Sequence, residues 1–209
     1  MIAIVVRTDL AASRNLPHYV FPAPRSQGRE CKKTLVNLAA IYIVKGEIAR
    51  AEEHPRKAAE LNPWLPDIHY NKAQVAEKQG RSKEAEAEYL KELAISPKHF
   101  MSMYNLSLIY RMTGNTGREY EFLQLCLAAD PSFPLTYFYL ARICMNRGER
   151  YREAIDFVKK GIELTPERSE LPLGFFLLAD LYNRIGGHAR SPAYAQKGQA
   201  LAASLDKIK

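Results

Sequence analysis

The sequence predicts an all-α chain, a solenoid of about five helix-turn-helix repeats. Three series of residues recur about every 34 positions and predict it: prolines at 63, 97, 131 and 166, glycines at 46, 80, 114 and 148, and the small residues Ala39, Ala73, Ser107, Ala141 and Ala179. Self-similarity at such a period marks a stacked array in which no repeat buries its apolar face alone.

Each proline follows a small polar residue, Asn62, Ser96, Asp130 or Thr165. Proline confines its predecessor to extended conformations and cannot continue a helix, so each pair closes one helix and opens a turn. Each glycine stands where a helix must stop in a left-handed cap. Two amphipathic stretches lie between the series, so a repeat reads helix, Gly turn, helix, Pro turn. The small residues let paired helices approach closely, and Ala51, Ala85 and Ala154 do the same on the second helix.

The first repeat has Leu35, Asn37, Leu38, Ala39, Tyr42, Gly46, Ala51, Ala58 and Asn62-Pro63; the third has Tyr104, Asn105, Leu106, Ser107, Tyr110, Gly114 and Asp130-Pro131. In this wording the chain resembles the tetratricopeptide repeat (TPR) family over about residues 32–187, four repeats and a looser fifth. The resemblance implies a right-handed α-α superhelix over 32–209, with repeats about 32–65, 66–99, 100–133, 134–168 and 172–205. Pentatricopeptide RNA-binding repeats have a similar period, but the small-residue and proline positions fit TPR better.

Departures from the pattern carry their own expectations. Pro55 falls mid-helix, where it removes the bond to the Ala51 carbonyl at a cost of about 3 kcal/mol, so that helix should kink or begin late. One extra residue near Arg150 and Tyr151, and three near Ser169 to Leu171, fall in turns. The last helix should open with Ser191 as N-cap and Pro192 as its first residue. Residues 1–31, with Pro17, Pro22 and Pro24, read as a loosely structured leader in which Ile2 to Val6 could form a strand.

The net charge of +7 is concentrated in the leader: residues 1–33 hold six cations against two anions, leaving only +3 for the remaining 176 residues. The repeat body is therefore an ordinary mixed-charge surface, and nucleic acid is disfavoured as its partner. No apolar run approaches the length of a membrane span. Cys31, Cys126 and Cys144 lack a Cys-x-x-Cys spacing, which suits a reducing compartment and makes cytoplasm the expected location.

No phosphate loop, zinc spacing or nucleophile elbow occurs, so no catalysis, cofactor, metal or small-molecule substrate is expected. The five histidines, His18, His54, His69, His99 and His188, show no carboxylate or cysteine at a ligand spacing. Glu84, Glu86 and Glu88 read as a solvated helix face, and Cys126 and Cys144 as buried packing residues.

Stacked repeats place equivalent positions side by side along the first helices. Asn37, Asn71 and Asn105 share one slot, which in TPR proteins faces the groove and grips a peptide backbone, since an amide offers both donor and acceptor. Tyr70, Tyr104 and Phe138 precede that slot as an aromatic stripe. Gln74, Arg111 and Arg142 add polar selectivity, and Lys45 and Lys78 favour an acidic segment. The cationic clamp of chaperone-tail-binding TPR domains is not matched: its slots hold Val36, Ala40, Met101 and Asn105. The expected function is a scaffold holding a peptide segment of another protein. The alternatives are the TPR portion of a larger sulfatase- or glycosyltransferase-like enzyme, or a nucleic-acid-binding helical repeat.

Overall fold

The computed structural model describes residues 26–148, 150–165 and 170–206; the leader up to residue 25, with its candidate strand, and Pro166 to Ser169 lie outside them. Among the described residues there are ten helices and no strand. They are α1 (Ser26–Lys45), α2 (Ile48–Leu61), α3 (Ile68–Lys78), α4 (Ser82–Ile95), α5 (Phe100–Met112), α6 (Thr116–Ala129), α7 (Pro134–Asn146), α8 (Tyr151–Leu164), α9 (Leu171–Arg184) and α10 (Ser191–Asp206). The fold is an all-α helical-repeat solenoid class, as the residue periods predict.

The punctuation acts as backbone chemistry requires. Gly46, Gly80, Gly114, Gly148 and Gly186 all have φ between 71° and 77°, a conformation that costs an L side chain about 1–2 kcal/mol. Asn62, Ser96, Asp130 and Thr165 are the C-caps of α2, α4, α6 and α8, with ψ between 82° and 104°. The extra residue of the fourth repeat is absorbed by Arg150, which takes φ 60° before α8 and pairs with Glu153 at 2.5 Å.

One boundary is corrected, and so is the late start offered for the helix that holds Pro55. Residues 26–31, assigned to the loose leader, are the first turns of α1, since nothing between Arg29 and Lys45 stops a helix. Pro55 neither delays nor divides α2, which runs continuously from Ile48 to Leu61. Ala51, Pro55 and Ala58 form the buried stripe of that helix, so the ring occupies an inward position where packing offsets the lost hydrogen bond.

The chain divides into two compact units at Thr113–Gly114. In the first, α1 packs on α2 and α3 on α4 across fully buried alanines, Ala39, Ala51, Ala73 and Ala85. Apolar clusters fill the spaces, Val36 with Ala58 and Ile68, and Ile43 with Ala51 and Val75. In the second unit, α7 pairs with α8 and α9 with α10 around a core containing Phe138, Ala141, Val158, Leu178 and Leu181. Phe138 lies against Gly161 of α8 and Gly174 of α9: a Cβ at Gly161 would stand 2.4 Å from the ring, and one at Gly174 3.0 Å. Cys126 and Cys144 are free thiols buried in this unit, and burial pushes the Cys126 thiol up to about 12. No helix among the described residues is long and apolar enough to cross a membrane.

Candidate functional site

The first helices of the first unit, α1, α3 and α5, each carry a stripe at i, i+4 and i+8, positions that share one face of a helix. These stripes are Val36, Ala40 and Val44; Tyr70, Gln74 and Lys78; Tyr104, Leu108 and Met112. Each runs from buried or half-buried at its N-terminal end to exposed at its C-terminal end, so the face opens toward the Gly turns. Val44 is 88% and Met112 80% exposed. Between them Lys78 presents an exposed ammonium.

The central stripe is braced from below. Gln74 Nε2 donates to the Tyr70 hydroxyl at 2.8 Å, and the Tyr70 ring packs on His99 and Tyr89 with centroids 4.8 and 5.8 Å away. Asn105 Nδ2 donates to the Tyr89 hydroxyl at 2.7 Å, which donates to Glu77 Oε2 at 2.5 Å. Burial raises the Tyr70 and Tyr89 hydroxyls and the Glu77 carboxyl.

The asparagine ladder is not one surface. Asn37 is exposed and borders a cleft of about 330 Å³ lined with Val36, Leu65, Pro66 and Asp67. Asn105 is half-buried. Asn71 is only 2% exposed, and its Nδ2 donates to the Val36 carbonyl at 2.9 Å, tying α3 to α1. It is a core residue, because its position faces the preceding first helix. The aromatic stripe is corrected likewise: Tyr70 is half-buried, whereas Tyr104 is buried and stacks on Phe100 at 6.2 Å. Phe138 is fully enclosed in the second unit. Arg142, also in the second unit, donates to Glu119 Oε1 at 2.6 Å and lies 5.2 Å from the Tyr139 ring centroid. Arg111 is half-buried on α5, and Lys45 is exposed at the end of α1.

Two of the histidines read in sequence as lacking acidic partners have them in the fold. His69 Nδ1 lies 2.6 Å from Glu88 Oε2, and His99 Nε2 lies 3.1 Å from Asp67 Oδ1. Glu88 is therefore no solvated residue. Burial acts to raise its carboxyl, yet hydrogen bonds from His69 and Lys91 hold it down at about 2.

Asp67, Glu92 and His99 bring one ligand-type atom each within 4.8 Å of one another, the spacing of a possible cation site. Counting hydrogen-bond partners gives the cluster another role. Fully buried Glu92 accepts the Asp67 N–H at 2.9 Å and the Tyr70 N–H at 3.3 Å, one on each oxygen, thereby capping α3, whose own N-cap side chain makes no such bond. His99 Nδ1 accepts the Ser102 N–H at 3.1 Å and caps α5, which leaves Nε2–H to donate to Asp67. The ring nitrogen facing the cluster thus carries a proton that a cation would have to displace. Sequence reasoning missed Glu92, although a signal existed: 34 residues before and after it stand Ala58 and Cys126, both small and fully buried.

Residues 66–99 match the family model described as Tetratricopeptide repeat. A curated relative, human "Tetratricopeptide repeat protein 7B", is 38% identical over 79 residues, covering 38% of this chain and 9% of that protein, so the matched stretch spans under a tenth of its length. Among solved structures, MamA residues 41 to the end from Desulfovibrio magneticus RS-1 superposes with a TM-score of 0.70 at 20% identity, over 84% of this chain and 97% of that one. The Pseudomonas aeruginosa pilF structure gives 0.70 at 21% identity, over 86% and 78%. At these identities the structural likeness is one of fold.

Proposed function

We propose that the chain, with its helical-repeat fold and a tetratricopeptide repeat at residues 66–99, is an interaction scaffold whose first-helix face within residues 26–113 holds an extended peptide segment of a partner protein. One observation carries this reading: Val44 and Met112 stand almost fully in solvent, and Lys78 is exposed at the equivalent position of its repeat, on helices whose backbones are fixed by buried alanines and by the Asn71 bond to Val36. Exposed apolar side chains on a rigid frame cost little to order on binding, which favours association. Gln74 adds an amide along the same face, Lys45 and Arg111 extend its cationic edge, and Asn71 is withdrawn into the frame.

The test is selection of displayed peptides on the immobilised full chain, followed by affinity measurement against two groups of variants. Val44→Arg with Met112→Arg should weaken selected peptides by tenfold or more. Asn71→Ala should leave affinity within about twofold at temperatures where circular dichroism shows it folded. Equal binding by the double-arginine variant would remove this face from the function.

A further inference from the structure

Resting on that reading, we infer that the cleft at the N-terminal end of the same face seats an arginine side chain of the bound segment. The cleft, of about 330 Å³, lies in the first unit between α1 and the start of α3, two helices in contact, and is lined by Val36, Asn37, Leu65, Pro66 and Asp67. That volume is at the small end of the range of roughly 300–1,000 Å³ that ligand pockets occupy, which suits one side chain and not a folded element. Val36 opens the α1 stripe and Asp67 stands three residues before Tyr70, so the cleft continues the peptide face.

The frame around it is fixed. The Val36 carbonyl accepts from Asn71 Nδ2, the Asp67 N–H donates to Glu92 Oε1, and Asp67 Oδ1 accepts from His99 Nε2–H. Asp67 holds a left-handed backbone, φ 70°, behind a proline whose own φ is locked, so little remains to be ordered when a ligand arrives. Its side chain is half exposed, which leaves it open to that ligand.

What the lining lacks is a cation. Among the described residues Asp67 is its one charged member, and a Glu92 oxygen lies within 4.8 Å of the Asp67 carboxylate. No described Lys or Arg pairs with either acid, and the His99 ring, with Nδ1 accepting the Ser102 N–H and Nε2 donating to Asp67, carries one proton. Two like charges at this range repel, and a guanidinium at the mouth relieves both. The second Asp67 oxygen and the Asn37 amide have no partner among the described residues. Guanidinium donors are set in a rigid fork, so one N–H can go to each while the weakly hydrated plane lies on Val36, Leu65 and Pro66. An ammonium holds its water more tightly and engages one point, so arginine is preferred to lysine.

The test is proton–nitrogen NMR of the labelled full chain titrated with N-acetyl-arginine methylamide, the citrulline, lysine and glutamate derivatives serving as controls. The arginine derivative should shift the Asn37 side-chain amide, assigned through its loss in Asn37→Ala. Citrulline, which keeps the shape without the charge, should bind about fivefold more weakly, and lysine should fall between them. Asp67→Asn keeps an oxygen for His99 and tolerates the left-handed backbone, so it removes the charge alone. With the rest of the spectrum unchanged, that variant should bind arginine no better than citrulline. No saturable shift from arginine, or equal affinity for arginine and citrulline in the parent chain, would overturn the inference, and lysine binding as tightly as arginine would overturn the fork. Lys32 and Lys33 stand one turn before Val36 and Asn37 on α1, so a glutamate response abolished by Lys32→Gln plus Lys33→Gln would reverse the assigned charge. Selected peptides that ignore the double-arginine change would remove the peptide face, an outcome separate from the arginine titration, which reads the cleft alone.

Discussion

Replacing Gly161 by alanine tests the packing of the second unit at its tightest point. In α8 the substitution alone should help, since alanine is favoured over glycine in a helix by about 1 kcal/mol. The added Cβ, however, would stand 2.4 Å from Phe138 Cε1 and 2.8 Å from Cδ1, against an ordinary carbon separation of about 3.5–4.0 Å. The ring has no retreat toward α9, where a Cβ on Gly174 would already lie 3.0 Å from it, and it is fully buried. Overpacking of this kind costs about 1–3 kcal/mol, so after the helix gain the net change is a loss of up to about 2 kcal/mol. For a chain of this size a loss of that order lowers the midpoint by up to roughly 8 °C. The assay is urea unfolding of Gly161→Ala, Phe138→Leu and the double variant, with Gly117→Ala as control. At Gly117 a Cβ meets only Asn115 Oδ1 at 3.8 Å, so that variant should gain about 0.5 kcal/mol. In the double variant the smaller side chain makes room, and the cycle should return a favourable coupling of about 1 kcal/mol. If Gly161→Ala is as stabilising as Gly117→Ala, with no coupling to Phe138→Leu, the account of this core is wrong.

Glu92→Ala should destabilise the first unit by about 2–4 kcal/mol, because the Asp67 and Tyr70 amides lose their acceptor; denaturant titration would measure it, and a loss below about 0.5 kcal/mol would refute the capping role. Glu88 predicts an acid limb. Its folded pKa, about 2, lies below its ordinary 4.5, so its contribution is full above 4.5 and is lost as pH falls through about 2. Urea midpoints between pH 5 and pH 2 should therefore fall less steeply in Glu88→Gln than in the parent chain, and parallel curves would contradict the pairing with His69.

The parts of the fold legible in sequence were those fixed by one residue's own backbone or size. A glycine that must take φ near +74°, a residue forced into extended conformation by the next proline, and an alanine between two helices each show in the letter itself. The candidate site was legible only as a set of helices. Whether Asn71 faced a ligand or the preceding repeat depended on which side of α3 meets α1, and the repeated Asn37, Asn71 and Asn105 hid that difference by looking alike. The acidic partners of His69 and His99 lie 19 and 32 residues away, beyond any local spacing rule. Phe138 looked like Tyr70 in register, yet it sits over two glycines contributed by the next two helices.

One position differs in each of the second helices α2, α4, α6 and α8. Ala58, Glu92, Cys126 and Gly161 descend through successive repeats at that place, and all four are buried. Ala58 abuts Val36 and Ile68, Glu92 receives amides, and Gly161 yields its volume to an aromatic ring. Copying the second helix of one repeat into another would therefore strand a carboxylate, or drive a side chain into Phe138. The array can be lengthened or recombined only together with the neighbours that fit each link, so its units have ceased to be spare parts for one another.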